Sequence, residues 1–498
     1  MRWMDARIPW GLFLLASFPC APALAQNEED ALRISGIRPL GTARSAGMAN
    51  AFGALGADPA SISINPAGFG LYRTSELSIT PAMEVNDAAN DFYGTRAADT
   101  ESRFNLGNVA LVLNNPSDRD SDWRSGTFGV VYDRQATHNW RRLVEGRDVP
   151  STILQGFVYE AEGTQDSDLF TFFPFTAGLA WDTYAIDPLD SAGTSYVSLI
   201  PFGSPTDQIH TIESRGRSNT TSFFYSGNYL DALYVGVSVG IAGHRFQRTT
   251  THTETTRDGS LDLAEVRYRE DLTITGSGFD VKLGIIGRIT ERFRMGLAWH
   301  SPQWMQLNDG YNTSMRTRFR TPDANGAFEY FASSPDGLFS YRVNTPWRGI
   351  LSAAYVAGAH ALFSVDYEYT DFRRMRMRAS SRILDDYDFA FENSVIERVF
   401  RPAHALRVGT EWRLGHWYYR LGWSISADPY VDADARQGQA LKVYAGGLGY
   451  RGDHLGIDLG LNYAQRGVEH FIYDPWTVDP ASETRRGYHA LLTVSLRP

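Results

Sequence analysis

The chain has 498 residues, 57 acidic and 47 basic side chains for a net charge of −10, and a single cysteine. That balance argues against a nucleic-acid partner, and one cysteine excludes both a disulfide framework and a thiolate metal site. Length alone allows two or three soluble domains at about 100–200 residues each, yet no Gly/Ser- or Pro-rich linker divides the chain, so one large unit is expected.

Taken in chain order, the first element is an export signal. Arg2 and Arg7 give a positive start, "IPWGLFLLASFPCAPA" an apolar core, and Ala23-Leu24-Ala25 the small-x-small pattern of a cleavage site. Residues 1–25 are therefore assigned as a signal peptide cut after Ala25. Cys20 lies inside it, behind Ser17-Phe18-Pro19, which does not suit a lipidation site. Basic residues are almost all arginine, with Lys282 and Lys442 the only lysines, and nothing functional is read from that.

Residues 36–72 contain fifteen Gly or Ala and only three charges, Arg38, Arg44 and Asp58. In "TARSAGMANAFGALG", Met48, Phe52 and Leu55 stand at i, i+4 and i+7, which predicts a short, slim helix with one apolar stripe. "SISINPAGFG" follows and is turn-rich, because Asn-Pro initiates turns and Gly68 and Gly70 permit backbone angles closed to other residues.

From residue 75 onward the signal is period-two alternation. Phe293, Met295, Leu297 and Trp299 share one face against Arg294, Gly296, Ala298 and His300. Leu406, Val408, Trp412 and Leu414 oppose Arg407, Gly409, Glu411 and Arg413. Strands are predicted at 75–86, 103–114, 125–137, 209–227, 232–250, 269–290, 293–308, 338–355, 360–375, 404–414, 417–427, 441–451, 454–466 and 487–497. Tight turns at "YLDA", "ITERF", "VAGAH", "LGHW" and "RGDH" alternate with long excursions at 138–208, 309–337, 377–403 and 467–486. An even count of strands, with short turns on one rim and long loops on the other, predicts an all-β, 14-stranded antiparallel transmembrane barrel of the outer-membrane kind. No long apolar stretch follows the signal, so a closed barrel is the way to satisfy every backbone group within lipid. Trp299, Trp304, Trp412, Trp417 and Trp423 fall near strand ends, as girdle residues do. The last strand, "GYHALLTVSLRP", alternates like a terminal barrel strand but ends on Pro498 instead of an aromatic residue.

A lumen of this size is wider than side chains alone fill, since about eight strands already give a filled interior. The small-residue segment, residues 26–73, is the expected N-terminal hatch, leaving 74–498 as barrel. Here a family resemblance enters. "GTARSAGMANAFGALGADPASISINPAGFGLYR" resembles the hatch of the FadL/TodX outer-membrane transporters of hydrophobic compounds, with Asn65, Pro66 and Ala67 at the family's Asn-Pro-Ala. "FRMGLAWHSPQWMQLNDGY" is similar to the family's Leu-Arg-x-Gly stretch followed by a Ser/Thr-Pro pair. The resemblance implies passive passage of long-chain fatty acids or other hydrophobic small molecules, gated by hatch movement, often sideways through the wall. It implies no cofactor, and as partners a hydrophobic ligand, outer-membrane lipid and detergent-like amphiphiles, and the barrel-assembly machinery. Localisation is expected in the outer membrane with both mature termini periplasmic. A secretion shuttle holding exported proteins on the loops, above all on 138–208, is the alternative.

Among single residues, Met48, Phe52, Leu55, Phe69 and Leu71 are expected either to touch ligand or to anchor the hatch. Arg407, Glu411, Arg413, Arg420 and Asp458 face the lumen and are expected to form an ionic network able to meet a carboxylate through arginine. The eleven histidines show no metal-ligand spacing. Asp118, Asp120 and Asp122 imitate a calcium loop, but Trp123 and Gly129 stand where it needs glycine and glutamate. An outer-membrane lipid hydrolase would need a serine–histidine pair, and the adjacent His300 and Ser301 point to opposite faces of a strand. No Gly-x-Ser-x-Gly can be placed at a strand-to-helix turn either, so no enzyme is expected.

Overall fold

The computed structural model describes residues 28–118, 120–189, 191–380 and 387–498; the signal peptide assigned to 1–25 lies outside them. The described chain opens with a helix, α1 (Glu28–Ser35), and a single helical turn, α2 (Ala43–Ala46), followed by 3₁₀ turns at Pro59–Ser63 and Pro66–Leu71. The predicted helix through Met48, Phe52 and Leu55 does not form. Ala49 and Asn50 both adopt positive φ directly after α2, a conformation that breaks a right-handed helix.

Four strands come next, β1 (Glu76–Phe92), β2 (Thr95–Pro116), β3 (Trp123–Thr137) and β4 (Trp140–Val149). A helical cap of α3 (Leu154–Ala161), α4 (Leu169–Phe172) and α5 (Ala177–Asp182) follows, with a ribbon of β5 (Ile186–Pro188) and β6 (Tyr196–Ser198). The wall then resumes with β7 (Thr206–Tyr229), β8 (Leu233–Thr256), β9 (Leu263–Arg288), β10 (Phe293–His300), β11 (Trp304–Phe319), β12 (Glu329–Ser333), β13 (Gly337–Asn344), β14 (Arg348–Ala357), β15 (Ala361–Asp371) and β16 (Arg376–Ala379). After a helix, α6 (Ala390–Val399), it ends with β17 (Pro402–Leu414), β18 (Trp417–Ser426), β19 (Leu441–Arg451), β20 (Leu455–His470) and β21 (Ala481–Leu496).

Each wall strand pairs antiparallel with its neighbours, and β1 pairs β21 from Leu77↔Leu496 to Asp91↔Ser482, which closes the sheet. The closed wall has fourteen staves, as the alternation predicts. Four of them are broken: β10 and β11 at Ser301-Pro302-Gln303, β13 and β14 at Thr345-Pro346-Trp347, β15 and β16 at the 3₁₀ turn Phe372–Arg374, and β3 and β4, both paired with β7, at His138-Asn139. Proline lacks the N–H a ladder needs, so the first two breaks fall where Pro302 and Pro346 stand. The predicted continuous strands 293–308, 338–355 and 360–375 are corrected accordingly.

Several strands also run further than their apolar alternation. The stretch 87–102, read as a connection, is the upper part of a hairpin closed by Tyr93 and Gly94, both at positive φ, the geometry of a two-residue type I′ turn. Above the apolar band both faces are polar, as in "TTTHTETT" at the end of β8, where Thr250, His252 and Glu254 are buried on the inner side, so the ladder continues past the lipid without a hydrophobic signature. Leu77, Leu297, Leu421, Leu461 and Trp412 are among the large apolar side chains turned outward and exposed, and the lumen holds Glu84, Asp133, Glu411 and Arg420 buried. Apolar-out, polar-in alternation is the arrangement of a barrel wall in lipid.

Candidate functional site

The lumen is closed by the segment from Thr42 to Leu71, and its polar residues serve its own turns first. Thr42 and Ser45 form a reciprocal capping box around α2, and the Thr42 hydroxyl donates to Asp58 at 2.8 Å. Asp58 caps Pro59–Ser63 and Asn65 caps Pro66–Leu71, each accepting from the backbone N–H two residues on. Asn65 is buried, and its Nδ2 donates to Gly53 O at 2.8 Å and to Ile285 O of β9 at 3.2 Å. A Cβ on Gly284 would lie 2.0 Å from the Asn65 oxygen, and one on Gly236 2.4 Å from the Pro66 carbonyl carbon. Wall glycines therefore form the seat of Asn65-Pro66-Ala67.

The apolar residues of the plug pack on the wall. Met48, Phe52 and Leu55 join Ala298, Ile350 and Ala354 in one buried cluster, Phe69 stacks on Phe224 with ring centroids 3.7 Å apart, and Leu71 packs beside Tyr234 and Ile286. Charged ties fix the rest. Arg44 makes two 2.9 Å hydrogen bonds to Glu411. The N–H groups of Phe52 and Gly53 reach the Asp366 carboxylate at 2.8 and 2.9 Å, and His300 Nε2 meets Ile64 O at 3.0 Å. Ala43 N–H donates to the Thr493 hydroxyl of β21 at 2.8 Å, and that hydroxyl also lies 2.8 Å from Thr80 of β1.

The predicted ionic network is present in part. Arg420, fully buried, bridges Glu411 at 2.5 Å and Asp458 at 2.8 Å, and Arg451 adds a 2.6 Å contact to Asp458. Arg407 belongs to a neighbouring group with Glu368 and Arg348. Arg413 does not join: it is exposed at the short turn and donates to Gly415 O. Arg44, Asp366, Glu368, Arg348 and Thr493 were not singled out from sequence, although Asp366 and Glu368 alternate with the outward Val365 and Tyr367 in "FSVDYEYT".

The wall has one unzipped seam. β2 pairs β3 only from Asn108↔Asp133 to Pro116↔Ser125, while its upper half pairs β1 alone. At Arg134 the register of β3 shifts. Beyond it β4 pairs with β7, and on its other side Asn86 and Asn90 of β1 donate to the carbonyls of Asn139 and Leu143 at 2.6 and 2.9 Å. At the shift the N-terminal segment steps in: Arg38 N–H donates to Gln135 O at 2.7 Å and Leu40 N–H to Arg134 O at 3.0 Å. Phe104 and Leu106, on the edge of β2 beside this gap, are exposed outward, and Arg134 Nε donates across it to Leu106 O at 2.9 Å.

At the long-loop rim, a cleft of about 640 Å³ opens between the 150–205 excursion and the β20–β21 loop, lined by Val158, Tyr159, Tyr196, Val197, Phe202 and Trp476 among others. Beneath this rim α1 stands in the lumen, with Ala31 and Ile34 buried among Phe246, Ile274, Leu307 and Tyr341. Glu28 accepts from Arg436 at 2.7 Å, and Arg436 also grips Asp434. The described chain thus begins beside the 427–440 loop, whereas Arg497 lies at the short-turn rim, donating to His454 O. Burial raises the Asp434 carboxyl, but the hydrogen bonds and charge of Arg436 outweigh it and hold the group below its ordinary value.

The sequence matches no family model and no curated protein. Solved structures do resemble it. A FadL homologue of Pseudomonas aeruginosa superposes with a TM-score of 0.54 at 14% identity, covering 92% of this chain and 98% of that one. The toluene transporter TodX of P. putida gives 0.53 at 11% identity, covering 93% and 99%. The toluene transporter TbuX of Ralstonia pickettii gives 0.50 at 14% identity, covering 94% and 99%. At these identities the likeness establishes a shared fold, the plugged fourteen-stranded barrel.

Proposed function

We propose that the protein is an outer-membrane passive channel for hydrophobic small molecules, long-chain fatty acids among them, gated by the N-terminal plug. The observation that carries the reading is that the plug segment is hydrogen-bonded to the wall where β3 leaves β2, at Gln135 and Arg134. A small shift of Arg38–Leu40 would release the Gln135 and Arg134 carbonyls of β3, across the gap from the outward Phe104 and Leu106 of β2. An apolar molecule collects in the loop cleft, enters the lumen as α1 gives way, and leaves sideways into lipid through that seam. No step needs an energy source or a catalytic group. The resemblance of fold to toluene and FadL-type transporters supports the substrate class.

Uptake of a labelled long-chain fatty acid by cells with and without the gene tests the reading, alongside complementation by an Asn65→Leu variant. Gated transport predicts a fall on deletion that the wild-type gene restores and the variant does not. Unchanged uptake of both fatty acid and labelled toluene would overturn it.

A further inference from the structure

The outer face of the wall carries a depression of about 440 Å³ across β19, β20, β21 and β1, on the far side of the sheet from the plug and one strand from Phe104 at the seam. Its floor is one rung of the sheet, Gly446, Leu461, Ala490 and Met83 in register. Gly446 and Ala490 leave the space on either side of Leu461: a Cβ built on Gly446 meets nothing nearer than 3.9 Å. The next rung toward the long loops is aromatic. Tyr444, Tyr463 and Tyr488 stand outward with consecutive ring centroids 6.4 and 5.1 Å apart. One rung higher the register places Lys442, Gln465, Arg486 and Asp87.

Depth decides what this surface meets. β19 ends at Arg451 on the short-turn side, and a tilted strand crosses the hydrocarbon in about 9–11 residues. Tyr444 therefore sits at the upper edge of the apolar band, where aromatic girdles lie, and Lys442 at head-group level. Lys442 is exposed and carries no ion pair among the described residues. Arg486 contacts Asp87 at 3.1 Å through Nη1, and a guanidinium has further N–H donors to offer. Arginine otherwise supplies nearly all positive charge in this chain, and a lysine serves phosphate as a compact point charge.

We propose that this is a binding site for an anionic, phosphate-bearing membrane lipid, with an acyl chain in the dent over Gly446 and Ala490, held under the tyrosines, and the phosphate on Lys442 and Arg486. The apolar cup and the cations lie one above the other at the depths where such a lipid carries its chains and its charge.

The test uses the full mature chain in nanodiscs of phosphatidylcholine with added phosphatidylglycerol, read by native mass spectrometry for retained lipid. Wild-type protein should keep phosphatidylglycerol over phosphatidylcholine. Lys442→Glu should lower that preference by about five-fold or more, the effect of a basic residue at an anionic surface. Gly446→Leu, which points outward into open space, should lower retention of both lipids. Wild-type retention in both variants overturns the site, and loss in Lys442→Glu alone overturns the acyl-chain half of it. A dimer that Gly446→Leu dissolves would make the face a protein contact and also overturn it. Heat-modifiable migration reports folding of each variant, and unchanged fatty-acid uptake separates this site from the transport reading.

Discussion

Asn65 shows how much a single side chain holds in this molecule, since it caps one turn, ties it to another at Gly53 and ties both to β9. Asn65→Leu should leave Gly53 O and Ala67 N without these partners and weaken the seated plug by about 1–3 kcal/mol, the usual cost of buried groups left unsatisfied. The expected readout is sensitivity to a large antibiotic that the wild-type barrel excludes. Gly284→Ala should reproduce it without touching the motif, because its Cβ would displace the Asn65 oxygen. Glu411 is the second pivot, shared by Arg44 of the plug and Arg420 of the wall. Glu411→Gln takes the ion pair from Arg44 and leaves Arg420 with Asp458 alone, at about 3–5 kcal/mol, and should lower the urea midpoint of plug release with the barrel still heat-modifiable. Arg413→Ala, at an exposed turn, should do neither. Parity along a strand sufficed to place Glu411, Arg420 and Asp458 in the lumen. It could not show that Arg413 sits past the last buried rung, nor that Arg44 crosses from the plug to meet Glu411, because that contact spans 367 positions.

Among elements, α1 is held by charge at one end and by apolar packing along its body. Asp434 is depressed below its unfolded value of about 3.9, so its contribution is present above that pH and is lost as pH falls through the lower folded value. Acidification below about pH 4 should therefore loosen the Asp434–Arg436–Glu28 tie and increase the mobility of a spin label at Leu32, with Arg436→Gln mobile at every pH. The elements that sequence reading placed well are those crossing lipid, where one face must be apolar. It stopped short of the tops of β1, β2, β8 and β9, which rise past the lipid band and so need no apolar outer face, and it missed β4, which lies inside the loop excursion it left unassigned. The supposed helix over Met48, Phe52 and Leu55 failed for a related reason. In a plug bounded by wall on every side, an apolar stripe at helical spacing is satisfied by turns as well as by a helix.

At the scale of the whole molecule, the closed sheet predicts resistance to detergent. Folded protein should migrate differently before and after boiling, and a single form at both temperatures would contradict the closure by β1 and β21. The loop cleft gives the molecule its outward-facing apolar surface, so Phe202→Ala with Trp476→Ala should raise the half-saturating concentration for uptake and spare the maximal rate.

The hydroxyl of Thr493 joins Ala43 of the plug, Thr80 of the first strand and the last strand itself. The plug, the first strand and the last strand therefore meet at one hydroxyl, so seating of the plug and closure of the ring by β1 and β21 share a contact and are coupled. A chain carrying Thr493→Val should close more slowly and yield more unsealed, protease-sensitive intermediates, even where the finished barrel is indistinguishable from wild type.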